Sequence, residues 1–169
     1  MTTDGTNRTV APVMAEIVVG LDDSPSAAAA LRWAAHHSRQ TGLPLRVVHV
    51  WQLHASDVAR IADLWGVTTT DARARATCWV LNTLGGGAAD VRWSLDIVEG
   101  SPGQALVERS RGARLLVLGS REHTGLRRVI LGSVSHYCVS HAVPPVVAVP
   151  ASPQEISPAE AHYESLTRP

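Results

Sequence analysis

Residues 16–51 read EIVVGLDDSPSAAAALRWAAHHSRQTGLPLRVVHVW, and this stretch decides the fold. Its first five residues, Glu16 to Gly20, are a short β-branched run that predicts a strand. The Ser24-Pro25 pair predicts a helix start, because a serine oxygen caps free N–H groups and proline lacks a donor that the first turn leaves unpaired. Gly42 ends this helix, and the apolar run from Pro44 to Trp51 predicts a second strand. A strand, a helix and a strand in this order predict a parallel βαβ unit.

The same alternation continues to about residue 150. Asp71 is expected to cap a helix that ends at the glycine run beginning with Gly85. The later elements are predicted as a strand at 91–100, a helix at 102–111, a strand at 113–120, a helix at 133–142 and a strand at 144–150. We therefore predict an α/β fold, a doubly wound three-layer sandwich with a parallel sheet between two layers of helices.

The length of 169 residues suits one domain with one substantial core. We expect a disordered amino-terminal arm at residues 1–14, a single domain at 15–150 and a flexible carboxyl-terminal tail at 151–169. The first 15 residues lack the basic start and apolar centre of a secretory signal, and no run approaches the roughly 18 apolar residues that span a bilayer. The expected location is the cytoplasm, with no membrane partner.

Charge and residue usage exclude several mechanisms. The formal net charge is zero, so no global field attracts nucleic acid or acidic lipid. The chain contains no lysine, which excludes a P-loop lysine and a Schiff-base lysine. Cys78 and Cys138 lack C-x-x-C spacing, and we expect buried thiols in a reducing compartment.

A ligand site is expected at the carboxyl ends of the strands, where ligands bind in open parallel sheets. Asp22 and Asp23 follow the first strand directly. After the fourth strand comes Gly119, which would permit a sharp exit from that strand, then an arginine-rich loop and a helix start at residues 132–135. The N–H groups and dipole of such a helix start attract phosphate, to which serine hydroxyls can add donors. The alternative left open by composition alone is that the glycines make turns and the arginines solvate the surface.

The spacing Gly-x-x-Gly, nine residues, Gly-Ser resembles the nucleotide-binding signature of the universal stress protein family. Here it reads Gly119-Ser120-Arg121-Glu122, then residues 123–131, then Gly132-Ser133. The blocks IVVGLDDSPSAAAALRWAA, PLRVVHVW, VEGSP, ARLLVLGSR and PPVVAVP are similar to that family's blocks in order. The resemblance implies an adenine nucleotide alpha hydrolase-like fold, with a five-stranded sheet of order 3-2-1-4-5. It also implies a homodimer that pairs through the strand at residues 145–149.

The resemblance further implies an adenine nucleotide between the first and fourth strands, ATP or AMP, with Mg²⁺ carried by the nucleotide. Asp22 would hold the adenosine end, and the glycines and helix start would surround the ribose and phosphates. The implied nucleotide-binding residues are Asp22, Val50, Gly119, Arg121, Glu122, Gly132, Ser133, Val134 and Ser135. No catalytic residue and no metal held by protein side chains is expected.

Glu122 departs from the signature, because it stands where the second glycine is expected. A positive φ at this position would cost a residue with a Cβ on the order of 1 kcal/mol. A carboxylate facing the phosphates would cost roughly 3 kcal/mol per charge pair at about 5 Å, with an effective dielectric constant near 20. We therefore expect ATP binding to be retained but weakened about a hundredfold, and weakened more than binding of AMP or a cyclic nucleotide.

Three functions are compatible with these features. The interpretation we favour is a stress-response sensor or signalling module that binds an adenine nucleotide. A second is very slow hydrolysis of ATP bound beside Ser133 and the arginine loop, for which Glu122 and Asp22 are the candidate bases. The third is a dimeric interaction module that binds no nucleotide.

Overall fold

A computed structural model of the chain describes residues 15–51, 69–122 and 129–151, with the backbone alone at 69–71, 121–122 and 129–130. The predicted arm at residues 1–14 and the tail beyond residue 151 lie outside the described residues. The elements in chain order are β1 Ile17–Leu21, α1 Pro25–Thr41, β2 Leu45–Trp51, α2 Thr69–Leu84, a 3₁₀ helix Gly85–Ala88, β3 Trp93–Glu99, α3 Pro102–Arg109, β4 Leu115–Glu122, β5 Val129–Ile130, α4 Ser133–His141 and β6 Val146–Pro150.

The parallel strands lie in the order β3-β2-β1-β4-β6, which confirms the predicted order 3-2-1-4-5 with β6 as the fifth parallel strand. Ile17 of β1 lies opposite Leu45 of β2 on one side and Leu115 of β4 on the other. The chain therefore winds outward from β1 in both directions. The switch point of the sheet lies where the carboxyl ends of β1 and β4 meet.

Helix α1 begins and ends where its sequence predicts. The Ser24 hydroxyl accepts a hydrogen bond from the Ala27 N–H, and Pro25 occupies the first helical position. Gly42 follows the helix with a φ of 71°, and its N–H donates to the Ser38 carbonyl. This left-handed conformation carries little strain only for glycine, so Gly42 sets the helix end.

Two layers of helices cover the two faces of the sheet. On one face, α1 and α2 pack small and aliphatic residues such as Ala34 and Val80 against Val19 and Val47. On the other face, Leu106 of α3 and Cys138 of α4 pack against residues such as Leu118. The doubly wound sandwich is thus confirmed, and strand residues alternate between the two cores.

Three predicted boundaries are wrong. Asp71 does not cap α2, because that helix already includes Thr69 and Asp71 lies within its first turn. Helix α3 ends at Arg109, two residues before the predicted end. The segment after Ser120 is not all loop: β4 continues to Glu122, and its last two residues pair antiparallel with β5.

The two cysteines occupy different environments and are both free. Cys138 of α4 is buried in the core beside Leu106 and Leu118, as predicted, whereas Cys78 is exposed on α2, so the prediction of a buried thiol is wrong there. Of the helices in the described ranges, none has the length and apolar character that crossing a membrane requires.

Candidate functional site

A cavity of about 160 Å³ opens at the switch point between β1 and β4. Its wall includes Leu21 and Val50, near the ends of β1 and β2, and Gly119 within β4. The predicted site residues that line it are Asp22, Val50, Gly119, Gly132, Ser133, Val134 and Ser135. The structure therefore brings the turn after β1 and the start of α4 to one cavity.

The amino terminus of α4 has no side-chain cap. Its N-cap residue is Gly132, which has extended backbone angles of φ −61° and ψ 166° and no side chain to accept from the first turn. Among the described residues, the first helical amide with a backbone partner is that of His136, which donates to the Gly132 carbonyl at 2.8 Å. The N–H groups of Ser133 and Val134, which line the cavity, are thus left for an outside acceptor.

The turn after β1 is organised by Asp22. Its Oδ1 accepts hydrogen bonds from both the backbone N–H and the hydroxyl of Ser24, the former at 3.0 Å. This arrangement fixes the turn before α1. Because both bonds use Oδ1, the second carboxylate oxygen stays open to a donor on a ligand.

Gly119 has a different role from the one its sequence position predicted. It lies inside β4 rather than at its end, so it does not make a sharp exit from the strand. A Cβ at Gly119 would lie 2.6 Å from the backbone carbon of Ser26 and 2.8 Å from the nitrogen of Ala27. Glycine is therefore required so that the first turn of α1 can pack on β4.

Ser135 ties α4 to the same strand. Its hydroxyl donates to the Gly119 carbonyl at 2.9 Å, and its side chain is buried. We expected both serines of this helix start to offer hydroxyl donors to a ligand, but the single hydrogen of Ser135 is already used. The hydroxyl of Ser133 has no partner among the described residues and stays available.

The inner wall of the cavity is apolar. It is formed by Val48, Val50, Leu106 and Leu118, and a Cβ at Gly20 would lie 2.8 Å from a methyl carbon of Leu118. Gly20 thus lets Leu118 and Leu106 pack closely on β1, and the apolar wall suits a flat apolar ring. Asp22 is the only charged side chain among the described residues that line the cavity.

Arg121 and Glu122 lie at the end of β4, where their backbones pair with Ile130 and Val129. A strand backbone has negative φ values, so the strain that we anticipated for a non-glycine residue at position 122 does not arise. The structure does not describe the two side chains. The other arginines of the predicted cationic loop, Arg127 and Arg128, lie outside the described residues.

Sequence reasoning missed a second group of lining residues: Gly20, Leu21, Ser24, Ser26, Ala27, Val48, Pro102, Leu106 and Leu118. The signal for the α1 residues was present, because the first turn of a helix that follows β1 must lie beside the residue that ends that strand. For Leu106 of α3 there was no local signal, since its approach to the site depends on how α3 packs on the sheet.

Comparison with known proteins gives consistent matches. Residues 14–150 match the sequence profile of the universal stress protein family. The universal stress protein Rv2005c of Mycobacterium tuberculosis is 34% identical over 139 residues, which are 81% of this chain and 46% of that protein. The chain therefore spans about half the length of the curated relatives it matches.

Two solved structures share the fold at low sequence identity. The universal stress protein from Archaeoglobus fulgidus in complex with dAMP has a TM-score of 0.55 at 21% identity, over 80% of this chain and 97% of that one. A universal stress protein family protein from Arabidopsis thaliana with AMP bound has a TM-score of 0.57 at 20% identity, over 87% of this chain and 99% of that one.

Proposed function

Because the chain belongs to the universal stress protein family, we propose that it binds an adenine nucleotide, ATP or AMP, in the cavity between β1 and β4. The observation that carries this proposal is that the Asp22 turn and the uncapped start of α4 line the same cavity. One supplies a charged acceptor and the other supplies free N–H donors, so the two ends of a nucleotide would each meet suitable chemistry. The dAMP and AMP complexes of two relatives support the ligand class.

The chemistry of the cavity favours one orientation of the bound nucleotide. The base would lie against the apolar wall that includes Val48 and Leu106, and the open oxygen of Asp22 would accept from a donor of the nucleoside. The phosphate would meet the amides of Ser133 and Val134 together with the Ser133 hydroxyl. A phosphate at the opposite end would lie beside the carboxylate of Asp22, which repels it.

Glu122 governs the preference among adenine nucleotides in this proposal. Strand geometry removes the strain contribution at this position, and the charge contribution remains. Binding of ATP is therefore weaker than in a protein with glycine there, while AMP is affected less because it carries fewer phosphates. Mg²⁺ would arrive with the nucleotide and would screen part of this repulsion.

The biological role that we propose is that of a cytoplasmic stress-response sensor or signalling module that works as a homodimer. Strand β6 pairs only with β4 among the described strands, so its other edge is open. All five residues of β6 are half-buried, which suits an edge that a second copy covers through residues 145–149. The free thiols Cys78 and Cys138 suit a reducing compartment such as the cytoplasm.

The proposal is tested by mass spectrometry of nucleotides released when the purified protein is denatured, followed by calorimetry with AMP and ATP. Retained AMP or ATP, or binding of either to the emptied protein, is the expected result. An empty protein that binds neither nucleotide would leave the nucleotide-independent dimeric module as the function.

The contribution of Glu122 is tested by calorimetry with ATP and AMP on the Glu122→Gly variant. We expect ATP affinity to rise by more than AMP affinity in this variant, because a triphosphate carries more charge near the removed carboxylate. Equal ATP affinity in the variant and the original chain would show that this residue does not set the preference.

A further inference from the structure

Ser26 is a buried polar residue that lines the cavity. It is the second residue of α1, it is 8% exposed, and it lines the cavity together with Asp22 and Gly119. A serine that is more than nine-tenths buried beside a cavity requires an account of its hydrogen bonds.

The direction of those bonds follows from counting hydrogens. The Ser24 hydroxyl must donate its one hydrogen to the carboxylate oxygen of Asp22, because a carboxylate only accepts. Ser24 Oγ and Ser26 Oγ lie 3.1 Å apart. Since the hydrogen of Ser24 is already used, Ser26 must be the donor in this pair.

Ser26 lines the cavity, and its hydroxyl oxygen is therefore left as an acceptor. Its hydrogen points to Ser24 and its lone pairs are left for another donor, and no such donor is found among the described residues. The chain of hydroxyls ends on the negative charge of Asp22, which polarises both hydroxyls and makes Ser26 Oγ a stronger acceptor. Such an oxygen favours an O–H or N–H group on a ligand and disfavours a phosphate oxygen.

The position of Ser26 selects which ligand group it meets. Its Oγ lies 2.7 Å from the point where a Cβ of Gly119 would stand, and the carbonyl of Gly119 holds Ser135 at the start of α4. Ser26 is thus a neighbour of the helix start that would bind phosphate. In a nucleotide, the part next to the phosphate that carries O–H donors is the sugar.

We infer that Ser26 accepts a hydrogen bond from a sugar hydroxyl of the bound nucleotide and thereby favours ribose over deoxyribose. This inference rests on the proposed function. It adds a specificity-determining residue that acts through its oriented hydroxyl and not through charge.

The test is calorimetry with AMP, 2′-deoxy-AMP and 3′-deoxy-AMP on the original chain and on Ser26→Ala and Ser26→Cys. In the original chain, one deoxy compound is expected to bind about fivefold more weakly than AMP, the effect of one net hydrogen bond. In both variants this ratio falls to within about twofold of unity. Ser26→Cys keeps the size of the side chain but offers a weak acceptor, so it separates hydrogen bonding from packing.

Ser140→Ala is the matched control, because it removes a serine hydroxyl that donates to the His136 carbonyl on the exposed side of α4. This variant is expected to keep the fivefold ratio. Binding of AMP with the same ratio in Ser26→Ala as in the original chain would overturn the inference alone. Failure of the original chain to bind either AMP or ATP would overturn the proposed function and this inference with it.

Discussion

The starts of α1 and α4 lie at the same cavity and are built in opposite ways. Helix α1 is closed by its own sequence: Ser24 accepts from the Ala27 N–H, and Asp22 adds a negative charge beside the dipole. Helix α4 begins after Gly132, which has no side chain to offer, and its first amides have no partner among the described residues. The first helix start has a side-chain cap within the protein, whereas the second has none and leaves its first amides for a ligand.

This difference separates stability from binding. Capping residues at α1 lower the free energy of the folded chain, and an uncapped start at α4 sacrifices that stabilisation so that its donors can meet an anion. Loss of the Ser24 cap should therefore alter the free energy of unfolding, while changes at Gly132 should alter nucleotide affinity.

The largest expected effect follows from closing α4. Gly132→Asp places a carboxylate at the N-cap, where it accepts from the first amides and repels phosphate by roughly 3 kcal/mol at about 5 Å. AMP affinity is expected to fall at least a hundredfold in calorimetry, while the melting temperature stays the same or rises. Gly132→Asn is the matched control, because it caps without charge and should weaken AMP binding less. A Gly132→Asp variant that binds AMP as the original chain does would contradict the open-start interpretation.

The next effect tests the junction of the two helix starts at Gly119. Gly119→Ala places a Cβ 2.6 Å from the Ser26 backbone and 2.8 Å from the Ala27 nitrogen, and neither can move without shifting α1. We expect the free energy of unfolding to fall by about 3 kcal/mol in urea denaturation. Gly86→Ala is the control, since a Cβ there has no atom within 4 Å. An equal fall in the free energy of unfolding of the two variants would show that close packing at Gly119 does not require glycine.

Most of the fold could be predicted from the sequence because the helix signals are local. The Ser24-Pro25 start and the Gly42 end of α1 act through neighbouring residues, and both were placed correctly. The β5 pairing was missed, because a two-residue strand has too little periodicity to stand out. The predicted cap at Asp71 is wrong, because α2 already begins at Thr69, before Asp71.

For the candidate site, the sequence indicated which residues meet but not how each is used. Asp22 and Ser133 could be brought together by the topology rule for parallel sheets. The structure shows that Gly119 allows helix packing and that the Ser135 hydroxyl donates to the Gly119 carbonyl. Both roles depend on contacts between segments that are distant in the sequence. Such contacts leave no pattern within one segment of the sequence.

A smaller expected effect is a loss of stability at alkaline pH that comes from α4 and not from α1. Burial raises the pKa of the Cys138 thiol in α4 to about 11, so the folded chain keeps a proton that the unfolded chain releases above about pH 9. The contribution of this buried neutral thiol to the free energy of unfolding is therefore complete below pH 9 and is lost as the pH rises through 11. About 1 kcal/mol of it is lost by pH 10. Urea denaturation at pH 8 and pH 10 should show this extra loss relative to Cys138→Ala. The same slope in both proteins would assign the alkaline loss to other groups.

The smallest effect returns to the closed start of α1. Ser24→Ala removes the cap on the Ala27 N–H and should lower the free energy of unfolding by about 1 kcal/mol in urea denaturation. Ser101→Ala is a close control, because Ser101 also precedes a proline at a helix start but makes no side-chain cap bond. Its expected change is close to zero, since an exposed serine without a partner contributes little. If the two variants lost equal stability, the cap at Ser24 would not account for the difference between the helix starts, and α1 would owe its position to packing on Gly119 alone.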